Sequence, residues 1–187
     1  MPIRIAHTAK GPIEYRLEGA GPVVLVLNGG HCSRDTQLSH EKLVSEGFSV
    51  LTPSRPGYDR TPAALGRTAQ AAADALAALL DTLALPTVSV IGISAAGPTA
   101  LAFAQQYPEL THKVILESAV TTEWDATIKR RARRLFGRAE KLTWTLVKLA
   151  FRLMPQTLLK VMMQEFTTLK VEEVLQRMSQ DDIRFVT

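Results

Sequence analysis

The 187-residue sequence holds a single cysteine, Cys32. No intramolecular disulfide and no multi-cysteine metal site can therefore form within it, and the bland reading of Cys32 is a free, buried thiol. No segment reaches the roughly 18–20 unbroken apolar residues of a membrane span. The opening Met-Pro-Ile-Arg-Ile-Ala-His-Thr lacks the apolar run of a secretory signal. These absences make the cytoplasm the expected compartment and leave no metal or cofactor to expect. Histidine is sparse as well, with four residues and none after His112. What remains is ordinary for a globular chain: 46% apolar and 21% charged residues, enough for one domain or one domain with an appendage.

The net charge of +4 is unevenly spread. Between Lys129 and Lys160 ten basic residues face one acid, Glu140, so that segment carries +9 and the remainder −5. The run Lys129-Arg130-Arg131-Ala132-Arg133-Arg134 comes without a nucleic-acid-binding motif and lies in a helical pattern, so no nucleic-acid partner is expected. The basic, amphipathic stretch 129–160 keeps a membrane-surface contact as a second reading beside that of a solvated helical face.

Periodicity orders the first two thirds of the chain. Ile13 to Leu17 alternates apolar and polar residues, as a half-exposed antiparallel strand does. Val23 to Leu27, Phe48 to Leu51, Val88 to Ile93 and Lys113 to Leu116 are short apolar runs of buried-strand length. Between them a helix is expected over 35–46, opened by Asp35. A second, capped by Thr68 and ended by Pro86, carries Ala72, Leu76, Leu80 and Leu83 at helical spacing. A third spans Thr99 to Tyr107. Strands alternating with helices predict an α/β fold with a mostly parallel, twisted sheet flanked by helices. Ligands bind beyond the carboxyl ends of such strands. Asn28-Gly29-Gly30, Arg55-Pro56-Gly57, Ser94 and Glu117 all fall at that end. Beyond Glu117 the β-branched runs stop, and four helices are expected, at 125–135, 142–154, 156–167 and 171–178. The domain reading is a core over 1–120 and a helical cap over 121–187.

One stretch carries chemistry. In Gly92-Ile93-Ser94-Ala95-Ala96 a serine sits between a strand and a helix with small residues on either side, as in the nucleophile elbow G-x-S-x-G in all but its last position. With Leu27-Asn28-Gly29-Gly30, Ser54-Arg55-Pro56-Gly57-Tyr58-Asp59-Arg60-Thr61 and the passage Leu101 to Leu116, it makes the chain resemble the α/β-hydrolase fold family, over residues 11 to 120. Within that family it looks most like bacterial esterases and proline-iminopeptidase-like hydrolases.

The resemblance implies a serine hydrolase acting on a small carboxylic ester or other acyl substrate. Ser94 would be the nucleophile, and the backbone N–H groups of Gly30 and Ala95 would hold the oxyanion. Glu117 is a candidate acid, while Asn28, Gly29 and His31 are expected near the substrate. Asn28 stands where the family usually has His, Asp59 where it usually has Gly, and Ala96 replaces the last elbow glycine. The family order is Ser, acid, His, and no histidine follows His112. Activity through an acyl-enzyme is therefore expected to be impaired, and a non-catalytic binding protein on the same scaffold is the alternative. The last two strands of the family also have no counterpart, so the chain reads as a C-terminally incomplete hydrolase. The 113–116 strand is then expected to be an unprotected edge through which the chain self-associates.

Overall fold

Two apolar runs set the middle of the sheet. β3 (Val23–Leu27) and β5 (Val88–Ile93) pair in parallel, with Leu27 beside Gly92. The structure, a computed structural model, describes residues 4–30, 32–36, 38–135, 140–166 and 169–177. Around the central pair lie β1 (Arg4–Thr8), β2 (Gly11–Glu18), β4 (Ser49–Pro53) and β6 (Thr111–Glu117), in the spatial order β1-β2-β4-β3-β5-β6. β1 and β2 pair antiparallel, as do β2 and β4; the other neighbours are parallel.

Parallel neighbours need crossovers. The 28–48 segment with α1 (Lys42–Ser45), then α2 (Ala69–Thr82) and α3 (Gly97–Gln106), supply them. α2 and α3 cover one face, where Leu25, Leu51, Val90, Leu79, Leu80 and Phe103 are fully buried. α1 covers the other, where Val24, Val26, Val50 and Ile91 meet Leu43, Val44 and Phe48. Each fully buried leucine in these layers contributes about 1.5–3 kcal/mol relative to exposure. The chain leaves β3 toward β4 and returns to β5 on the opposite side. The β3 and β5 loops therefore flank a switch point, where a crevice opens at the carboxyl edge.

The fold departs from expectation at three places. β1 has no counterpart in the predicted elements. The helix expected over 35–46 shrinks to α1, because Ser39 adopts φ +70 and interrupts any helix from Asp35. The 113–116 run, read both as a buried strand and as an unprotected edge, lies in β6 at the end of the strand order, where no residue is fully buried, so the expectation of burial fails.

Thr68 caps α2 as expected, accepting a hydrogen bond from the Ala71 N–H. The C-terminal end of α3 is fastened to the body of α2 by Tyr107, whose hydroxyl donates to Asp74 Oδ1 at 2.8 Å. That bond, with some desolvation, raises the Tyr107 pKa above its ordinary value. The clamp is therefore present below the ordinary tyrosine range and lost only as alkali deprotonates the phenol.

The chain divides into two compact units, Met1–Glu123 and Trp124–Thr187. The second consists of α4 (Ala126–Leu135), α5 (Glu140–Leu153), α6 (Pro155–Phe166) and α7 (Val171–Arg177). α5 exposes Leu146, Leu149 and Leu153. Among the described residues no helix is long and apolar enough to cross a membrane.

Candidate active site

The elbow is built by exclusion. β5 ends at Ile93, and Ser94 turns the chain with φ +50, a left-handed conformation that costs a non-glycine residue about 1–3 kcal/mol. Ser94 to Ala96 form one 3-10 turn, and α3 starts at Gly97. The Ser94 carbonyl accepts from two backbone N–H groups, those of Gly97 and of Val120, the latter at 2.9 Å. A methyl on Gly92 would lie 2.6 Å from Ala100 Cβ, and one on Gly97 only 2.2 Å from the Val120 carbonyl oxygen. Strand, turn, helix and the segment after β6 thus meet with no spare room. Ser94 itself is exposed at the carboxyl edge.

The loop after β3 approaches from the neighbouring strand. A Cβ on Gly29 would stand 3.0 Å from Ser94 Cβ and 3.7 Å from Ser94 Oγ, and one on Gly30 would stand 3.8 Å from Ala95 Cβ. The Gly29–Gly30 peptide is therefore beside the serine and the first residue of its turn. Its orientation is fixed from behind. Arg55, in the loop after β4, donates from Nη1 to the Gly29 carbonyl oxygen at 2.6 Å and lies over the Tyr58 ring at 5.1 Å. In a trans peptide the carbonyl and the following N–H point in opposite directions. Holding the Gly29 oxygen on Arg55 therefore turns the Gly30 N–H away from that arginine. Sequence reasoning gave Arg55 no such role, although its place in the Arg-Pro-Gly loop marked the segment.

Asn28 is only 2% exposed, and its Nδ2 donates to the Ser33 carbonyl at 2.7 Å. The substrate contact expected of it gives way to bracing the loop from inside. His31 lies outside the described residues. Glu117, in register with Ile93, receives His40 Nε2 at 3.1 Å and 3.0 Å on its two oxygens. Its partner thus comes from the loop before α1, 77 residues earlier in the chain. Among the described residues no histidine or carboxylate hydrogen-bonds to Ser94 Oγ.

Beneath the site lies a charged cluster that sequence reasoning also missed. Glu14 of β2 is 2% exposed and meets Arg34, itself 6% exposed, at 2.5 Å. The same Nη1 lies 2.8 Å from Asp59 Oδ2, which also accepts from Ser54 Oγ at 2.8 Å. Asp59 holds φ +49, so it fills the position expected to want glycine by spending its carboxylate on these two partners. Beside Ala95 a cavity of about 250 Å3 opens between Leu27, Arg55, Thr68, Leu76 and Thr99; its near wall is Ala95 and Ala96 rather than Ser94. Among the described residues no group of three or more His, Cys, Asp and Glu gathers as a metal site.

Comparison with known proteins gives the same outline. The family described as alpha/beta hydrolase fold matches residues 22–145. An uncharacterised hydrolase of Bacillus subtilis is 35% identical over 177 residues, 92% of this chain and 62% of its own length. The solved structure of an alpha/beta hydrolase fold protein from Nakamurella multipartita superposes on 99% of this chain, with a TM-score of 0.75 and 27% identity. A thermophilic esterase from Thermogutta terrifontis covers 84%, with a TM-score of 0.63 and 25% identity. The chain spans 66% and 64% of those two structures, and so about two thirds or less of each protein named.

Proposed function

The chain belongs to the alpha/beta hydrolase fold family, and from that premise we propose that it is a serine hydrolase of small carboxylic esters working through an acyl-enzyme on Ser94. The observation that carries the reading is the strained φ +50 of an exposed Ser94 beside the Gly29–Gly30 peptide. Attack joins Oγ to the ester carbonyl carbon. The oxyanion that forms is held by the N–H groups of Ala95 and Gly30, the alcohol departs, and water releases the acid. The cavity beside Ala95, apolar at Leu27 and Leu76 and polar at its rim, suits one arm of a small ester. The likeness to an esterase structure at 25% identity supports the same class.

The hydroxyl proton needs an acceptor. Among the described residues His40 is held by Glu117 and not by Ser94, so we expect slow turnover for this chain. Short-chain p-nitrophenyl esters test this. Turnover should vanish in Ser94→Ala and rise with added imidazole, which supplies the base from solution. That same pairing favours a second reading, a binding protein on this scaffold. Saturable ester binding with no turnover above the Ser94→Ala background at the same imidazole concentration would replace the first reading with the second.

Arg55 provides a graded test of the oxyanion geometry. Removing one oxyanion donor outright costs about 10^2–10^3-fold in rate. Arg55→Ala leaves the Gly30 N–H in place and only frees its peptide plane, so we expect a smaller loss, about 10-fold, in the rate of acylation. KM for the ester should change little, and time courses of ester cleavage separate the two parameters.

A further inference from the structure

The cavity beside Ala95 carries a charge pattern that ester cleavage by itself does not use. All its walls belong to the first unit: β2, the ends of β3 and β4, the loop after β4, the start of α2 and the elbow. One part is apolar, with Leu27, Ala72 and Leu76. Two charged side chains line it, Arg55 and Arg67, and both are positive. Among the described residues no carboxylate shares the wall with them.

Both guanidinium groups keep donors to offer. Arg55 gives Nη1 to the Gly29 carbonyl and lies over the Tyr58 ring, but a guanidinium has five N–H donors in all. Arg67, exposed just before the Thr68 cap, enters no ion pair among the described residues. Thr68 adds to the same sign. Its Oγ accepts the Ala71 N–H, so its own hydrogen is left to donate, and the first turn of α2 behind it, at Ala69, brings the positive end of the helix dipole to the wall.

A neutral arm in this cavity would cover Leu27 and Leu76 but leave the guanidinium donors facing it. A carboxylate meets them in charge-assisted hydrogen bonds, which are about twice as strong as neutral ones. Arg55 is half-buried, so its charge is screened less than one in bulk solvent. The volume, about 250 Å3, falls below the roughly 300–1,000 Å3 of pockets that take drug-sized ligands. The fitting arm is therefore short.

Resting on the reading of Ser94 given above, we propose that the substrate is an ester with a short arm ending in a carboxylate, and that Arg55 and Arg67 hold that carboxylate in this cavity. Arg55 also holds the Gly29–Gly30 peptide, so Arg67 is the residue that sets specificity without serving the reaction.

Ser94→Ala protein binds esters without cleaving them, so isothermal titration reads the cavity apart from the chemistry. Monomethyl glutarate carries its charge on the acyl arm and 4-acetoxybutanoate on the alcohol arm; each is set against its neutral amide. At least one acid should bind about 10-fold tighter than its amide, and which one identifies the arm that enters. Adding Arg67→Gln should cut the preference to about 3-fold or less. Arg67→Glu should abolish it, and raising salt from about 0.05 to 0.5 M should narrow it. Equal binding of acid and amide in both pairs overturns the proposal, as does a preference that survives Arg67→Glu. Wild-type cleavage is scored separately. Cleavage with no preference for the acids sinks the carboxylate subsite and leaves Ser94 standing, whereas a binding preference without cleavage above Ser94→Ala keeps the subsite and sinks the reading of Ser94.

Discussion

Replacing Arg34 by alanine is expected to lower the stability of the fold by about 3–5 kcal/mol, the cost of leaving one member of a buried ion pair alone. Glu14 is the residue that makes the loss large. It is 2% exposed in the middle of β2, and Arg34 at 2.5 Å is its close cation. Arg60, at 3.6 Å and largely exposed, contributes little in solvent. Arg34 Nη1 lies at contact distance from both Glu14 and Asp59 yet makes no aligned hydrogen bond, so the attraction is coulombic and vanishes with the charge. For a chain of this size the loss corresponds to a fall of roughly 6–20 °C in thermal midpoint. Adding Glu14→Leu to the Arg34→Ala background should recover much of it, because the penalty is the unpaired charge and not the lost contact. The effect also reaches the site. Asp59 keeps its left-handed turn with Arg34 and Ser54 as partners, and the same loop carries Arg55, which holds Gly29.

The second large effect is expected at Gly97. Its backbone conformation, φ −49 and ψ −51, is one any residue adopts, and alanine favours a helix over glycine by about 1 kcal/mol. Space decides the sign. The added methyl would meet the Val120 carbonyl oxygen at 2.2 Å and Ala119 Cβ at 3.0 Å, and a backbone atom cannot step aside as a side-chain tip can. Gly97→Ala should therefore lose about 1–3 kcal/mol, measured by denaturant unfolding. It should also disrupt the Val120 N–H bond to the Ser94 carbonyl and slow ester cleavage. Ala96→Gly restores the last elbow glycine and should change the rate little, since Ala96 already fits, buried against the core.

That contrast shows what the sequence could and could not reveal. The runs at Val23–Leu27 and Val88–Ile93 are unbroken and apolar because these strands are covered on both faces, so they were legible, and Ser94 with them. The position at the start of α3 that has no room for a side chain is Gly97, one residue beyond the G-x-S-x-G pattern. The crowding atom belongs to Val120, 23 residues later, and no local pattern carries it. Glu14 alternates like any outward residue of a half-exposed strand; only the fold brings Arg34 to it. The His40–Glu117 pair spans most of the core and has no local signal for the same reason. β1 was missed because Arg4-Ile5-Ala6-His7-Thr8 offers only weak alternation, and its identity as a strand comes from pairing with β2.

The central claim is that Ser94 is held as a nucleophile before an oxyanion hole. A fluorophosphonate reads this most directly, because it needs an attacking oxygen and a stabilised oxyanion but no leaving alcohol and no deacylation. Intact mass should show one adduct per chain, peptide mapping should place it on Ser94, and Ser94→Ala should abolish it. No adduct on folded protein, or an adduct that maps to another residue and persists in Ser94→Ala, would contradict the account.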